Sequence, residues 1–230
     1  MLRTDFLTLL EKYRTESREF MAVLADRKKR KENNEIDEDS MLTKSGLLTV
    51  NILEKTLPEK IRTMASLRTD LKIKGSSGAG NMAEIPHICI LDKEITSSAQ
   101  RGYYIVYLIN TQTQKVYLSL NQGFTEYRNA YGQKEGTRRI RENASRIQRL
   151  LGIVKGFSFG KLDWGRTKSL GQGYDNGNIC FKEYDKDNLP DDAQLIDDLR
   201  NLIGVYRDLK RQVGLTVFDI KNISELTLQR

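Results

Sequence analysis

The sequence predicts an α+β fold: a mixed, mainly antiparallel sheet flanked by helices, with a helical extension at the N-terminus. Three observations predict it. Apolar residues recur at three- and four-residue steps towards both ends of the chain, and short apolar runs with period-two alternation occupy its middle. The third is composition. At 230 residues, 38% hydrophobic, the chain is long enough for one sizeable core and too apolar for a disordered one.

Taken in order, residues 1–57 read as a helical extension. Phe6, Leu9, Leu10, Tyr13, Phe20, Met21 and Leu24 form one apolar face. Five bases, Arg27 to Lys31, follow, and then the acids Glu32, Glu35, Asp37, Glu38 and Asp39. Such a run reads first as a solvated helix end and loop whose charges screen each other, and second as a contact with a DNA backbone. A shorter helix over Leu47 to Leu57 is predicted to end at Pro58, and residues 58–230 are read as the main domain.

Pro58-Glu59-Lys60 opens a short helix with Ile61, Met64 and Leu67. Leu71-Lys72-Ile73-Lys74 alternates like a half-exposed strand. The small residues Gly75 to Asn81 form a loop, and His87 to Leu91 a buried strand. Tyr103 to Ile109 and Val116 to Leu120 form a hairpin, with Val116, Leu118 and Leu120 on one face and Tyr117 and Ser119 on the other. A basic helix follows. Between Lys134 and Lys155 there are seven bases and two acids, a local charge of +5. The stretch Gly156 to Gly165 is irregular, Leu170 to Tyr174 is a glycine-rich loop, and Asn178 to Tyr184 is a strand. Leu189-Pro190-Asp191-Asp192 starts a long helix paved by Leu195, Leu199, Leu202, Ile203, Tyr206, Leu209 and Val213.

Several functions are excluded by what the chain lacks. No run of about 18 apolar residues exists, so no membrane span is expected, and the polar N-terminus is not a secretory signal. Two cysteines and one histidine rule out a disulfide framework and a standard zinc site. His87 lies in the apolar string Ile85 to Ile90, where a satisfied structural or stacking histidine is a better reading than a catalytic one. Gly75 to Gly80 matches the start of a phosphate-binding loop, but Asn81 and Met82 stand where lysine and serine or threonine are required. Asp191 and Asp208-Leu209-Lys210 have the letters of a nuclease site. They share one predicted helix about 25 Å apart, too far to hold one metal. No cofactor and no catalysis are expected. The net charge of +7 favours a polyanionic partner.

Within this frame, Gly78-Ala79-Gly80-Asn81, Ile85-Pro86 before a strand, Gly102-Tyr103-Tyr104 opening the hairpin and Gly171-Gln172-Gly173-Tyr174 occur in a specific order. Over roughly residues 58–213, with Leu199 and Tyr206 in the last helix at matching places, the chain resembles the N-terminal DNA-binding domain of McrB-type modification-dependent restriction proteins.

The resemblance implies double-stranded DNA as partner, bearing a modified cytosine that is flipped into a pocket. It also implies a cytoplasmic defence system whose motor and nuclease activities lie on other domains or subunits. Ala79 stands where the family inserts a wedge into the gap left by the base. His87 and Leu170 stand at family aromatic positions, and Leu108 at a leucine near the base. Gln172, Tyr174 and Trp164 complete the implied pocket, with Trp164 and Tyr174 as the aromatic rings able to compensate. Lys72, Lys74, Ser76, Ser77, Ala79, Asn81, Arg138, Arg139 and Arg141 are the expected DNA-binding residues. The competing expectation is a non-enzymatic protein-interaction module of a defence complex, with the basic helix only solvated and residues 1–57 as a dimerisation or docking arm.

Overall fold

The computed structural model describes residues 1–33, 43–165 and 168–217, without the side chains of residues 168–170 and 172. Helix α1 spans Leu2–Glu32 and buries Leu2, Phe6, Leu9, Leu10, Tyr13 and Phe20. A 3-10 turn, Lys44–Gly46, leads to α2, Leu48–Asn51, and α3, Leu57–Met64. Between them Ile52–Thr56 forms a turn of π-helix. Pro58 therefore does not end the helix as expected. It has no N–H to give to the preceding turn, and the widened turn before it makes room for its ring.

Five strands follow: β1 Leu71–Ser76, β2 His87–Asp92, β3 Tyr103–Asn110, β4 Lys115–Gln122 and β5 Cys180–Asp185. They form one sheet in sequence order, and every pairing among them is antiparallel. The predicted hairpin pairs Tyr107 with Leu118 and Leu108 with Tyr117. Helix α4, Phe124–Leu151, is broken at Gly132, where φ is +74°. Helix α5, Lys168–Gly177, occupies the stretch expected to be a glycine-rich loop. Low helix propensity is overridden there by close packing: a Cβ on Gly171 would lie 2.4 Å from the Trp164 indole. Helix α6 spans Asp192–Val213, with Asp191 as N-cap accepting from the Gln194 amide.

The sheet is buried on both faces. One face carries Ile88, Ile90, Tyr103, Ile105, Tyr107, Val116, Leu118 and Leu120 against α1, α3 and α6. Phe6 meets Tyr107 with ring centroids 5.2 Å apart, and Tyr206 of α6 meets Tyr103 edge-on at 5.4 Å. The segment expected to be an appendage thus supplies part of the main core. The first amides of α1 are held by α6: Leu2 and Arg3 donate to the Asp192 carboxylate at 3.0 and 2.8 Å. The other face carries Cys89, Leu91, Tyr104, Val106, Leu108, Tyr117 and Phe181, covered by Leu162 and Trp164.

Strand β1 lies directly on the π-turn. A Cβ on Gly75 would sit 1.9 Å from the Leu53 carbonyl oxygen, a clash that only backbone movement relieves. Gly75→Ala should therefore cost about 3 kcal/mol of stability in urea unfolding, at the upper end for overpacking. Gly80 has φ of +80° and open space around it, so Gly80→Ala should cost about 1–2 kcal/mol from backbone strain alone. The reverse order of the two unfolding midpoints would show that β1 is not pressed against that turn.

Candidate nucleic-acid interface

Alternation along the strands sets which side chains share the second face. Lys72, Lys74 and Ser76 of β1 pair in register with Leu91, Cys89 and His87 of β2. Next to them, His87 pairs with Leu108 and Cys89 with Val106 of β3. The apolar cover of this face ends before it reaches β1. A cleft of about 480 Å³ opens there, lined by Lys74, Ser76, Ala79, His87, Tyr104 and Tyr174 among others.

Each wall is fixed by a separate set of contacts. Tyr174 comes from α5, which Asn121 of β4 ties down by donating to the Tyr174 carbonyl at 3.0 Å. Arg141 of α4 donates to Asn176 of the same helix at 2.7 Å. Behind Tyr174 lies Trp164, with centroids 6.2 Å apart, and behind Trp164 lies Tyr117 at 5.8 Å. The opposite wall is the β2–β3 connection with Ser98 and Gln100, joined to the start of α4 by the Glu126 amide donating to the Gln100 carbonyl at 2.9 Å. Gly102 and Gly123 meet at this corner, and a Cβ on Gly123 would lie 2.2 Å from the Arg101 nitrogen.

His87 is half-buried, and its Nδ1 lies 3.2 Å from the Tyr174 hydroxyl and 3.4 Å from the Ile85 carbonyl. Its ring stands at 61° to the Tyr174 ring, with centroids 6.0 Å apart. Burial lowers the His87 pKa; the Ile85 carbonyl opposes this, and the charge of Lys74 lowers it further. Burial also pushes the Cys89 thiol up to about 12, so Cys89 lines the cleft as a small apolar group and not as a thiolate.

The expected site residues separate into groups. Lys74, Ser76, Ala79, His87 and Tyr174 converge on the cleft. Lys72 is exposed beside it on the same face of β1, and neither lysine forms an ion pair among the described residues. Asn81 is exposed at the loop tip. Ser77 is fully buried and donates to Glu54 at 2.5 Å, so its hydroxyl holds the loop and faces no ligand. Leu108 is also fully buried, beside His87 in the second core and not on the cleft wall, and Trp164 supports Tyr174 from behind. Leu170 and Gln172 lie in α5, and their side chains are outside the described residues.

On α4, Arg138 pairs with Glu135 and Glu142, and Arg139 pairs with Glu135 and lies 4.1 Å from the centroid of the Tyr131 ring. Arg138 first and Arg139 second hold the Glu135 carboxyl down at about 2. Exposed pairs of this kind contribute little and exchange readily for other anions.

Cys89, Tyr104, Phe124, Ser98 and Gln100 line the cleft without having been expected. Alternation from His87 points to Cys89 and from Leu108 to Tyr104; nothing local points to the other three. Asp191 and Asp208 both belong to α6, one as its N-cap and one paired with Arg211. Among the described residues no helix is long and apolar enough to cross a membrane.

The cleft lies at the corner of the sheet, bordered by a glycine-rich loop and exposed lysines. Residues 22–211 match the family model described as the MrcB-like N-terminal domain, and the chain belongs to that family. The matched span begins within α1, so the family extends over residues 22–57 as well as over the region from residue 58 that carries the sequence resemblance. Membership supports a DNA-binding role in a restriction-type system, as a recognition module and not a catalytic one. No curated protein matches the chain.

His87 is the only histidine, which makes its titration readable in stability. The unfolded chain takes up this proton near the ordinary value of 6.5, and the folded protein only at lower pH. The unfolded state therefore binds more protons between the two values, and stability falls as pH is lowered through 6.5. In melts between about pH 7 and about pH 5.5, His87→Gln should flatten this fall. An unchanged pH dependence would mean that His87 titrates normally.

Proposed function

We propose that the chain recognises a modified base in double-stranded DNA, modified cytosine foremost, by turning that base out of the duplex into the cleft. It acts as the reader of a cytoplasmic restriction system whose motor and nuclease activities reside on other domains or subunits. The observation that carries this reading is the convergence of Lys74, Ser76, Ala79, His87 and Tyr174, from three separate stretches of chain, on one cleft of about 480 Å³. A base stacked in a duplex cannot enter such a cleft, whereas an extruded one can be enclosed together with its substituent.

Each group then has a task. His87 and Tyr174 offer ring faces and edges to the base, and Lys72 and Lys74 neutralise phosphates beside it. The exposed loop tip at Ala79 lies against the duplex, and Ala79 is too small to fill the gap left by the base. The arginines of α4 contribute by exchanging their carboxylate partners for phosphate oxygens.

The test is a binding panel on one duplex carrying unmodified, methylated, hydroxymethylated or glucosylated cytosine, or methylated adenine. One modified duplex should bind more tightly than the unmodified one. His87→Ala should weaken the preferred duplex about tenfold, the equivalent of one lost base–ring stack, and leave the unmodified duplex nearly unchanged. Equal affinity for every duplex would exclude modified-base recognition. Absence of salt-dependent binding altogether would move the protein to the interaction-module class.

Replacing Lys72 and Lys74 together by Gln should weaken every duplex alike. It should lower the slope of log affinity against log salt by about two. An unchanged slope would place the phosphate contacts elsewhere.

A further inference from the structure

The N-terminal helical segment reaches the glycine-rich loop at three points. Glu54, in the π-turn, accepts from the Ser77 amide at 2.9 Å and from its hydroxyl at 2.5 Å. Tyr13 of α1 donates its hydroxyl to the Ala83 carbonyl at 2.9 Å, with the Ser77 carbonyl 3.3 Å away. Lys44, in the 3-10 turn, donates to the Gly78 carbonyl at 2.5 Å and lies 3.3 Å from the Asn81 carbonyl. Glu54 and Tyr13 hold the two ends of the loop, and Lys44 holds its tip. Within the loop, Gly78 and Gly80 have φ of +102° and +80°, and the Ala83 amide closes onto the Ser77 carbonyl at 2.6 Å.

We infer that Lys44 is a positioning residue for DNA recognition, keeping the loop tip Ala79–Asn81 in the conformation that meets the duplex. The inference rests on the DNA-reading role proposed above. An exposed loop of small residues has many accessible conformations, and ordering it on binding would subtract from affinity. Two carbonyls held by one ammonium remove that cost beforehand. Those carbonyls belong to residues flanking Ala79, so the ammonium acts where the loop projects furthest. Lys44 does not line the cleft, and its effect on the base passes through the loop.

The experiment compares the full chain with Lys44→Met, which keeps an unbranched apolar stem, and with Lys44→Arg, which restores a donor. Three quantities are read: thermal melting, amide hydrogen exchange across residues 77–83, and affinity for the unmodified and modified duplexes of the panel. Lys44→Met should melt close to the parent and exchange faster at the loop. It should lose about tenfold in affinity for the preferred duplex, the scale of one charge-assisted hydrogen bond. Affinity for the unmodified duplex should change little, and Lys44→Arg should recover most of the discrimination. Tyr13→Phe, which removes only a hydroxyl, should act in the same direction and serves in place of Lys44→Met if that variant melts early.

If the parent discriminates among duplexes and Lys44→Met discriminates equally well, the positioning role is overturned while the DNA reading stands. Faster loop exchange without loss of discrimination overturns it too. If the parent binds no duplex, the DNA reading fails and the inference falls with it.

Discussion

Strands β3 and β4 are buried on both sides, and a sheet with such a centre has to be covered on both faces. The rest of the architecture follows from that requirement. Helices α1, α3 and α6 cover one face. The other is covered from β5 as far as β2, by Trp164, Leu162 and α5. The cover stops where β1 places lysines and a serine on the surface in the positions that apolar residues take on β2 and β3. The cleft is the step between covered and uncovered sheet, and its floor is as rigid as the sheet itself. A cleft built this way takes its shape from the sheet and needs no lid to exist.

Much of the fold was legible in the sequence because its elements have strong local signals. The β3–β4 hairpin, the face alternation of Val116 to Leu120 and the apolar stripe of α6 all follow from periodicity. Two misreadings have the same origin. Pro58 and the glycines of α5 break helices in isolation, but here a π-turn accommodates the one and the Trp164 indole presses on the other. The site was legible in part. His87, Tyr174 and the β1 lysines could be gathered from family resemblance and strand alternation. The support from Lys44, Tyr13 and Glu54 could not, because isolated polar residues on helices carry no sign of which distant carbonyl or amide they will meet.

The basic surface divides into two kinds of charge. On α4, Arg138 and Arg139 are engaged with Glu135, Glu142 and the Tyr131 ring, and Arg141 donates to Asn176. On β1 the two lysines have no ion-pair partner among the described residues. A phosphate reaching the cleft rim would meet unpaired charge there, whereas at Arg138 and Arg139 it would have to displace a carboxylate. A net charge along a helix therefore does not say which of its bases are engaged by the acids three and four residues away.

The cap that Asp192 places on the first amides of α1 spans nearly the whole chain. The helix is thus completed by a residue that is synthesised 190 positions later. Until α6 arrives, the stripe from Leu2 to Tyr13 and one whole face of the sheet lack their cover. Contacts this distant in sequence slow folding, because a long loop must close before they reward it. A nascent chain stalled before residue 192 would carry an open apolar surface, the condition under which chaperones engage and aggregation begins.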